Sequence, residues 1–468
     1  MEQNLSVIFL IAYIIIVVVI GIKNSNSKNT SDYFLASRKL PSWLLAITFI
    51  ASWWGGGSAI DLVDHSYNDG LGSFWIYGMP VLFSTLFMYF MAGKIRRANT
   101  ISQPELVEKR YNKRVSRILT LFILVFMTLG VATQIIVIGH FFQSFFDMPY
   151  LSGAIVGSSI VLFYSMFGGF KGVVLTDLLQ FVFFFVGGIA LLVFAYNNSG
   201  GWQAVEEHAS HIGKTDYTQF WSKASDYLAY VFTFGVSWAV QANVWQRISA
   251  AKTEKSAKNM MALSFIAFIP LYLMVTLTGM FASTMFSDMP TGGIVPAIVK
   301  LLDSPVLSAL IFVGLCSAIM STMDSMLNTG ALSLTVDIYQ KYIKKGASAK
   351  ELVSVGRIST LLVFLVALVI ALRIESVIDV AWIGADFIAT GAFVPIIGGF
   401  FWEKSTSRAA VSSMIFGFLF STYNMLIALG ISLPSCWEVA SVEQAIIGIS
   451  ISLILFIFVS LTPTKKTF

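Results

Sequence analysis

Thirteen apolar stretches divide the chain: 5–22, 41–63, 72–93, 117–142, 149–167, 173–196, 226–246, 260–286, 304–338, 353–372, 377–402, 409–430 and 443–462. Most reach the ~20 apolar residues that cross a hydrocarbon core as helix. Numbered as spans 1 to 13, with loops alternating between two sides, they place 26 of the 30 Lys and Arg residues on one side. The basic side gathers Lys23, Lys28, Arg38 and Lys39, the run from Lys94 to Arg117, Lys171, and the run from Arg247 to Lys258. Lys341 to Arg357, Lys404, Arg408, Lys465 and Lys466 follow, while only Lys214, Lys223, Lys300 and Arg373 fall opposite. Basic residues stay cytoplasmic, so the N-terminus is expected outside and the C-terminus inside. A miscounted span would scramble this asymmetry, so its coherence supports all thirteen together.

Hydrophobic residues make up 56% of the chain and charged ones 12%, against about 25% charged in soluble proteins. The net charge of +5 is therefore a mark of topology and not of nucleic-acid binding. Cys316 in span 9 and Cys436 in an outside loop make no disulfide framework. Residues 5–22 have neither a basic flank nor a small-residue cleavage site ahead of the next span, and read as a retained span. The longest extramembrane stretch, 197–225, is polar, carries Glu206 and Glu207, and is expected outside. With no soluble catalytic domain in view, the expectation is a transporter and not an enzyme, with no nucleic-acid or obligate protein partner.

Two spans are interrupted. Span 2 contains Ser52-Trp53-Trp54-Gly55-Gly56-Gly57-Ser58, and span 7 contains Gly235-Val236-Ser237-Trp238 followed by Gln241 and Asn243. Each mid-helix glycine costs about 1 kcal/mol relative to alanine, and freed backbone groups find no partner in lipid. Close helix packing accounts for a lone glycine cluster. Matching breaks five spans apart, in helices of opposite direction, point instead to an inverted repeat with a binding site at the midplane.

Span 9 carries Ser317, Ser321, Asp324, Ser325 and Asn328 on one helical face, with Thr322 beside Ser321. The carbonyl of Ala318 opens toward those hydroxyls, and unwound carbonyls near Ala51 and Trp54 complete a weak, hard-oxygen cage. Such a cage suits a monovalent ion that must bind and leave; the alternative is that Ser and Thr only bond back to their own helix. In span 6, Asp177 lies about a turn inside the membrane near Thr176 and Gln180. A carboxylate there is functional by default, unless it serves as a helix-start charge. Asp386 in span 11 is similarly embedded, while Asp61, Asp64 and His65 read as a solvated outer rim.

Four stretches together resemble the sodium/solute symporter family of sodium-coupled proline, pantothenate, sialic acid, sugar and choline carriers. They are Ala51 to Gly57; Gly168-Gly169-Phe170 through Thr176-Asp177 and Gln180; Gln246-Arg247 with Ala250-Ala251-Lys252; and Ala318 through Ser325. The resemblance implies an all-α membrane fold: a leading helix, a five-plus-five inverted repeat and two trailing helices. The expected divisions are 1–40, 41–196 for spans 2–6, the 197–225 loop, 226–402 for spans 7–11, and 403–468. It also implies a first sodium site from the carbonyls of Ala51, Trp54 and Ala318 and the hydroxyls of Ser321 and Thr322. A second sodium site in some members would fall here on Asp177, Ser321, Asp324 and Ser325, with Asp324 where some relatives have serine.

Span 4 offers Gln134, His140 and Gln143 in its interior but not the arginine of sialic acid carriers, and span 8 lacks the lysine of sugar carriers. The choline branch shares the Trp-x-Gly-Gly-Gly run, an acid at Asp64 and an aspartate at Asp386. Gln241 and Phe83 stand where that branch has a tryptophan and a tyrosine. The candidate solute residues are Trp53, as a cation–π face, with Gly56, Phe83, Gln134, Gln241 and Asn243. The expected function is sodium-coupled uptake of a small amine or amino-acid-like solute, choline-like or proline-like, across the cell (inner) membrane. The alternatives are a monocarboxylate or other neutral or anionic solute, or a sensor or channel on the same fold. A sensor would need a signalling domain, for which little chain follows span 13.

Overall fold

Lipid leaves helix as the economical way to satisfy a single chain's backbone, and each of the thirteen stretches carries helix over its described residues. The computed structural model describes residues 2–23, 30–374, 376–428, 431 and 441–462. Lys28, Cys436, Lys465 and Lys466 lie outside the described residues. Among those described there is no sheet, only an isolated parallel bridge between Leu40 and Ala251.

Nine helices among the described residues are long and apolar enough to cross a membrane. Local breaks and fusions account for the difference from thirteen. Spans 5 and 6 run on as one element, Tyr150–Ser199, kinked at Gly169 (φ 55°, ψ −171°). That left-handed φ favours glycine, and a Cβ there would sit 2.8 Å from the ring of Tyr33. In span 1 the apolar helix Val7–Lys23 is short, as is the first half of span 2, Ser42–Trp53. Helix in span 2 resumes after Gly55, as π-helical turns over Gly57–Asp61 and then Leu62–Asp69. Span 7 is assembled from Ala224–Tyr230, Val231–Gly235 and Val236–Ala239, is interrupted at Val240 and Gln241, and resumes over Ala242–Ala250.

Helix starts follow the local sequence. Asn112 accepts from the backbone N–H groups of Arg114 and Val115; Thr253, Ser304 and Ser348 cap spans 8, 9 and 10 in the same way. Span 9, Pro305–Leu332, is the most enclosed of the long helices and packs against spans 1, 4, 5–6 and 10. Its polar stripe is therefore turned inward, against the two broken helices.

Candidate solute and sodium sites

The two breaks meet. The indole Nε1 of Trp53, at the end of the first half of span 2, donates to Oε1 of Gln241 in the gap of span 7 at 2.7 Å. Beside this bond lies a cavity of about 100 Å³. One wall is aromatic: Phe234 stacks on Trp238 at 5.2 Å, Tyr77 lies parallel to both, and Trp53 leans on Trp238 at 5.7 Å. The other wall carries Gln134, Thr133 and Thr322. Among the described residues lining it there is no Asp, Glu, Lys, Arg or His.

Of the solute residues expected from sequence, Trp53, Gln134 and Gln241 line this cavity. Gly56 stands just outside it: its N–H donates to Gln134 Oε1 at 3.2 Å, and its backbone lines a second cavity of about 160 Å³ with Asp61, Asp64 and His140. Val377 borders both cavities. Two expectations fail on position. Phe83 is 38% exposed and stacks on Phe87, and the tyrosine facing the cavity is Tyr77. Asn243 is buried one position past the start of the resumed helix, where its carbonyl accepts from Arg247; it does not line the cavity. The outer acids are not a free rim. Asp61 accepts from the Tyr77 hydroxyl at 3.0 Å and Asp64 from the Ile294 N–H at 2.8 Å. Asp386 is buried and accepts from Gln444 at 3.1 Å, away from the cavity.

The hard-oxygen cage forms where span 2 unwinds against span 9. Thr322 Oγ1 is 3.5 Å from the carbonyl of Ala51 and also borders the solute cavity. Gly55 permits this approach, since a Cβ would sit 2.9 Å from Gln134 Oε1 and 3.0 Å from Thr322 Oγ1. The Trp54 indole turns away to stack on Phe184, leaving its backbone oxygen at the break. Ala318 is fully buried one turn before Thr322. Ser321 donates to Asp177 Oδ1 at 2.6 Å, so its hydroxyl has a partner yet keeps lone pairs for a cation.

Asp177 is met by a fixed cation. Arg247, which the sequence places among the loop residues, is 1% exposed and reaches Asp177 Oδ2 at 3.2 Å. Its other donors go to Ser325 Oγ at 2.7 Å, to the Thr48 carbonyl and hydroxyl at 3.2 Å each, and to the Asn243 carbonyl at 3.1 Å. Thr48 also donates to Asp177 Oδ2. Both oxygens of Asp177 are thus engaged, and the guanidinium holds the place against Asp177 and Ser325 that the resemblance offers to a second sodium. The pair links the resumed half of span 7 to spans 2, 6 and 9.

Residues 33–417 match the sodium:solute symporter family. The chain belongs to that family. It is 28% identical over 448 residues to the sodium/proline symporter of Staphylococcus aureus (strain Newman), covering 88% of this chain and 84% of the relative. The sodium/proline symporter of Haemophilus influenzae is 26% identical over 421 residues, covering 84% and 82%. A solved structure described as the substrate-bound outward-open state of a Na+-coupled sialic acid symporter with a novel Na+-site superposes with a TM-score of 0.83. It covers 99% of both chains at 17% identity. MhsT in complex with L-phenylalanine gives 0.54, covering 89% and 98% at 13% identity. The fold is the all-α, multi-pass five-plus-five inverted repeat, and the protein is a sodium-coupled secondary transporter of a small organic solute, not an enzyme.

For a symporter, the shared wall is the informative feature: Thr322 borders the solute cavity and touches the Ala51 carbonyl. Thr322→Ala is expected to raise the sodium concentration for half-maximal transport and weaken solute binding together. Ser321→Ala, whose hydroxyl also holds Asp177, is expected to raise the sodium requirement with lower stability. Sodium-dependence curves and melting of both purified variants check this; curves that overlay the parent's would remove the assignment. Sequence reasoning missed Arg247 and Tyr77. The Phe234/Trp238 spacing of four around Gly235 was the available signal for the aromatic wall.

Proposed function

We propose that this symporter imports a compact amino-acid-like zwitterion, proline-like in size, together with sodium. The observation that carries the reading is a cavity without ionisable wall residues other than Tyr77, aromatic on one side and bordered by the Thr322–Ala51 sodium cage on the other. The ammonium end would lie over the rings of Trp53 and Trp238, and the carboxylate end would face the sodium ion and Gln134. An anionic sugar acid has no arginine to pair with, which weighs against that class. The sodium/proline symporters among the relatives support the same choice. A quaternary amine is the second reading, favoured by the aromatic wall and by Asp61 and Asp64 lining the adjoining cavity.

In this reading the ions bind at Ala51, Trp54, Ala318, Ser321 and Thr322, and the solute at Trp53, Gln134 and Gln241 with Tyr77 and Trp238. Residues 41–196 and 226–402 form the two repeats, set in the cell (inner) membrane with the N-terminus outside and the C-terminus cytoplasmic. Uptake into proteoliposomes of proline, other small amino acids, choline, a monocarboxylate and a sugar, with the sodium gradient imposed or collapsed, tests the substrate class. Sodium-driven accumulation of the monocarboxylate alone would end it. For topology, single cysteines in the 198–225 loop should label from outside, and those in 94–116 only after permeabilisation; the reverse pattern would overturn the orientation.

A further inference from the structure

Asp324 has a carboxylate oxygen that nothing satisfies. The side chain is fully buried in span 9; Oδ1 receives Ser325 at 3.3 Å, and Oδ2 has no hydrogen-bond partner. Arg247 is the basic group that acts on it, and that guanidinium is already committed to Asp177, Ser325, Thr48 and Asn243. Arg247, Asp177 and Asp324 therefore leave one negative charge unmatched inside the membrane, where an unpaired charge is strongly disfavoured.

Two more buried oxygens without partners, Gln180 Oε1 and Ser317 Oγ, belong to the same group of side chains. The Gln180 amide nitrogen donates to the Tyr13 hydroxyl at 2.8 Å and to the Tyr164 hydroxyl at 3.4 Å. Those two bonds fix the amide so that its oxygen is the free end. Tyr13 in turn lies beside Ser317, and Tyr164 beside Asp324. All five side chains are buried, contributed by spans 1, 5, 6 and 9. Orphaned acceptors are rare in a folded interior, because each forfeits the hydrogen bonds it made to water.

We propose that Asp324 Oδ2, Gln180 Oε1 and Ser317 Oγ form a further monovalent cation site on the span 1 side of span 9. It is distinct from the Ala51–Thr322 cage, and it draws on Gln180 and Ser317 where the resemblance names Asp177 and Ser325, which Arg247 holds. One carboxylate among neutral oxygens matches a single positive charge; a divalent ion would leave the group positive. Sodium is the ion that fits the transporter's coupling. The site gives the leading helix, which lies outside the two repeats, a part in ion binding through Tyr13.

Equilibrium binding of radioactive sodium alone to the purified full chain in nanodiscs, paired with sodium-dependent thermal shifts, tests the site without any transported solute. The parent is expected to show two components. Gln180→Leu should remove one, and Ser317→Ala should weaken that same component by about tenfold, as loss of one neutral ligand implies. Thr322→Ala should remove the other component, and the Gln180→Leu/Thr322→Ala double variant should bind none. A parent with a single component abolished by Thr322→Ala, or a folded Ser317→Ala with both components at parental affinity, would overturn the proposal.

Discussion

Arg247→Met is expected to be the most destructive single substitution in the membrane interior. It removes the cation from Asp177 and leaves two buried carboxylates, Asp177 and Asp324, facing each other's charge. Breaking a buried pair from one side costs about 3–5 kcal/mol, so the purified variant should melt far below the parent or fail to accumulate. Asp177→Asn should be milder for stability, because Arg247 then balances Asp324. The double variant Arg247→Met/Asp177→Asn should recover part of the loss of Arg247→Met, the non-additivity expected of contacting charges. Thermal unfolding of the four proteins in one detergent measures it. Losses that simply add would mean the pair carries no coupling, and Arg247 would then matter only for its packing over the ring of Phe170.

Trp53→Ala should have the largest effect on the solute. The indole joins the breaks of spans 2 and 7 through Gln241 and packs on Trp238 and Phe268. Losing a cation over an aromatic face costs about 0.5–2 kcal/mol, or up to roughly thirty-fold in affinity, with further loss from the freed Gln241. Trp53→Phe keeps a ring and loses the N–H donor, so it should fall between parent and alanine variant. Solute binding by the purified variants in saturating sodium reads this order directly. Equal affinity in all three would detach Trp53 from the solute site and leave the ion cage untouched.

The broken helices are legible in the sequence because three successive glycines at mid-membrane weaken a helix that lipid otherwise enforces. The inward stripe of span 9 is legible because helical spacing puts Ser321, Asp324 and Ser325 on one face. Gly169 reads in sequence as a boundary between spans, and the structure makes it a kink within one continuous element. Arg247 is hidden by its position: a basic residue at the end of an apolar stretch reads as loop. Only the resumed helix of span 7, Ala242–Ala250, carries it back into the interior. Phe83 is indicated only by correspondence with a relative's tyrosine, and no spacing rule shows that Tyr77, six residues earlier, stacks against Phe234 instead. Gln180 and Ser317 are visible as polar residues, but their free oxygens depend on Tyr13, which sequence distance conceals.

Solute and sodium share a wall at Thr322 in this reading, and reciprocal binding tests that most directly. The tightest-binding member of the solute panel should be titrated at several sodium concentrations, and sodium titrated with and without that solute, for the parent and for Thr322→Ala. In the parent each ligand should tighten the other by the same factor, and Thr322→Ala should shrink that factor toward one. Solute affinity that is the same with sodium and with potassium in its place, in a parent that still transports, would contradict the shared wall.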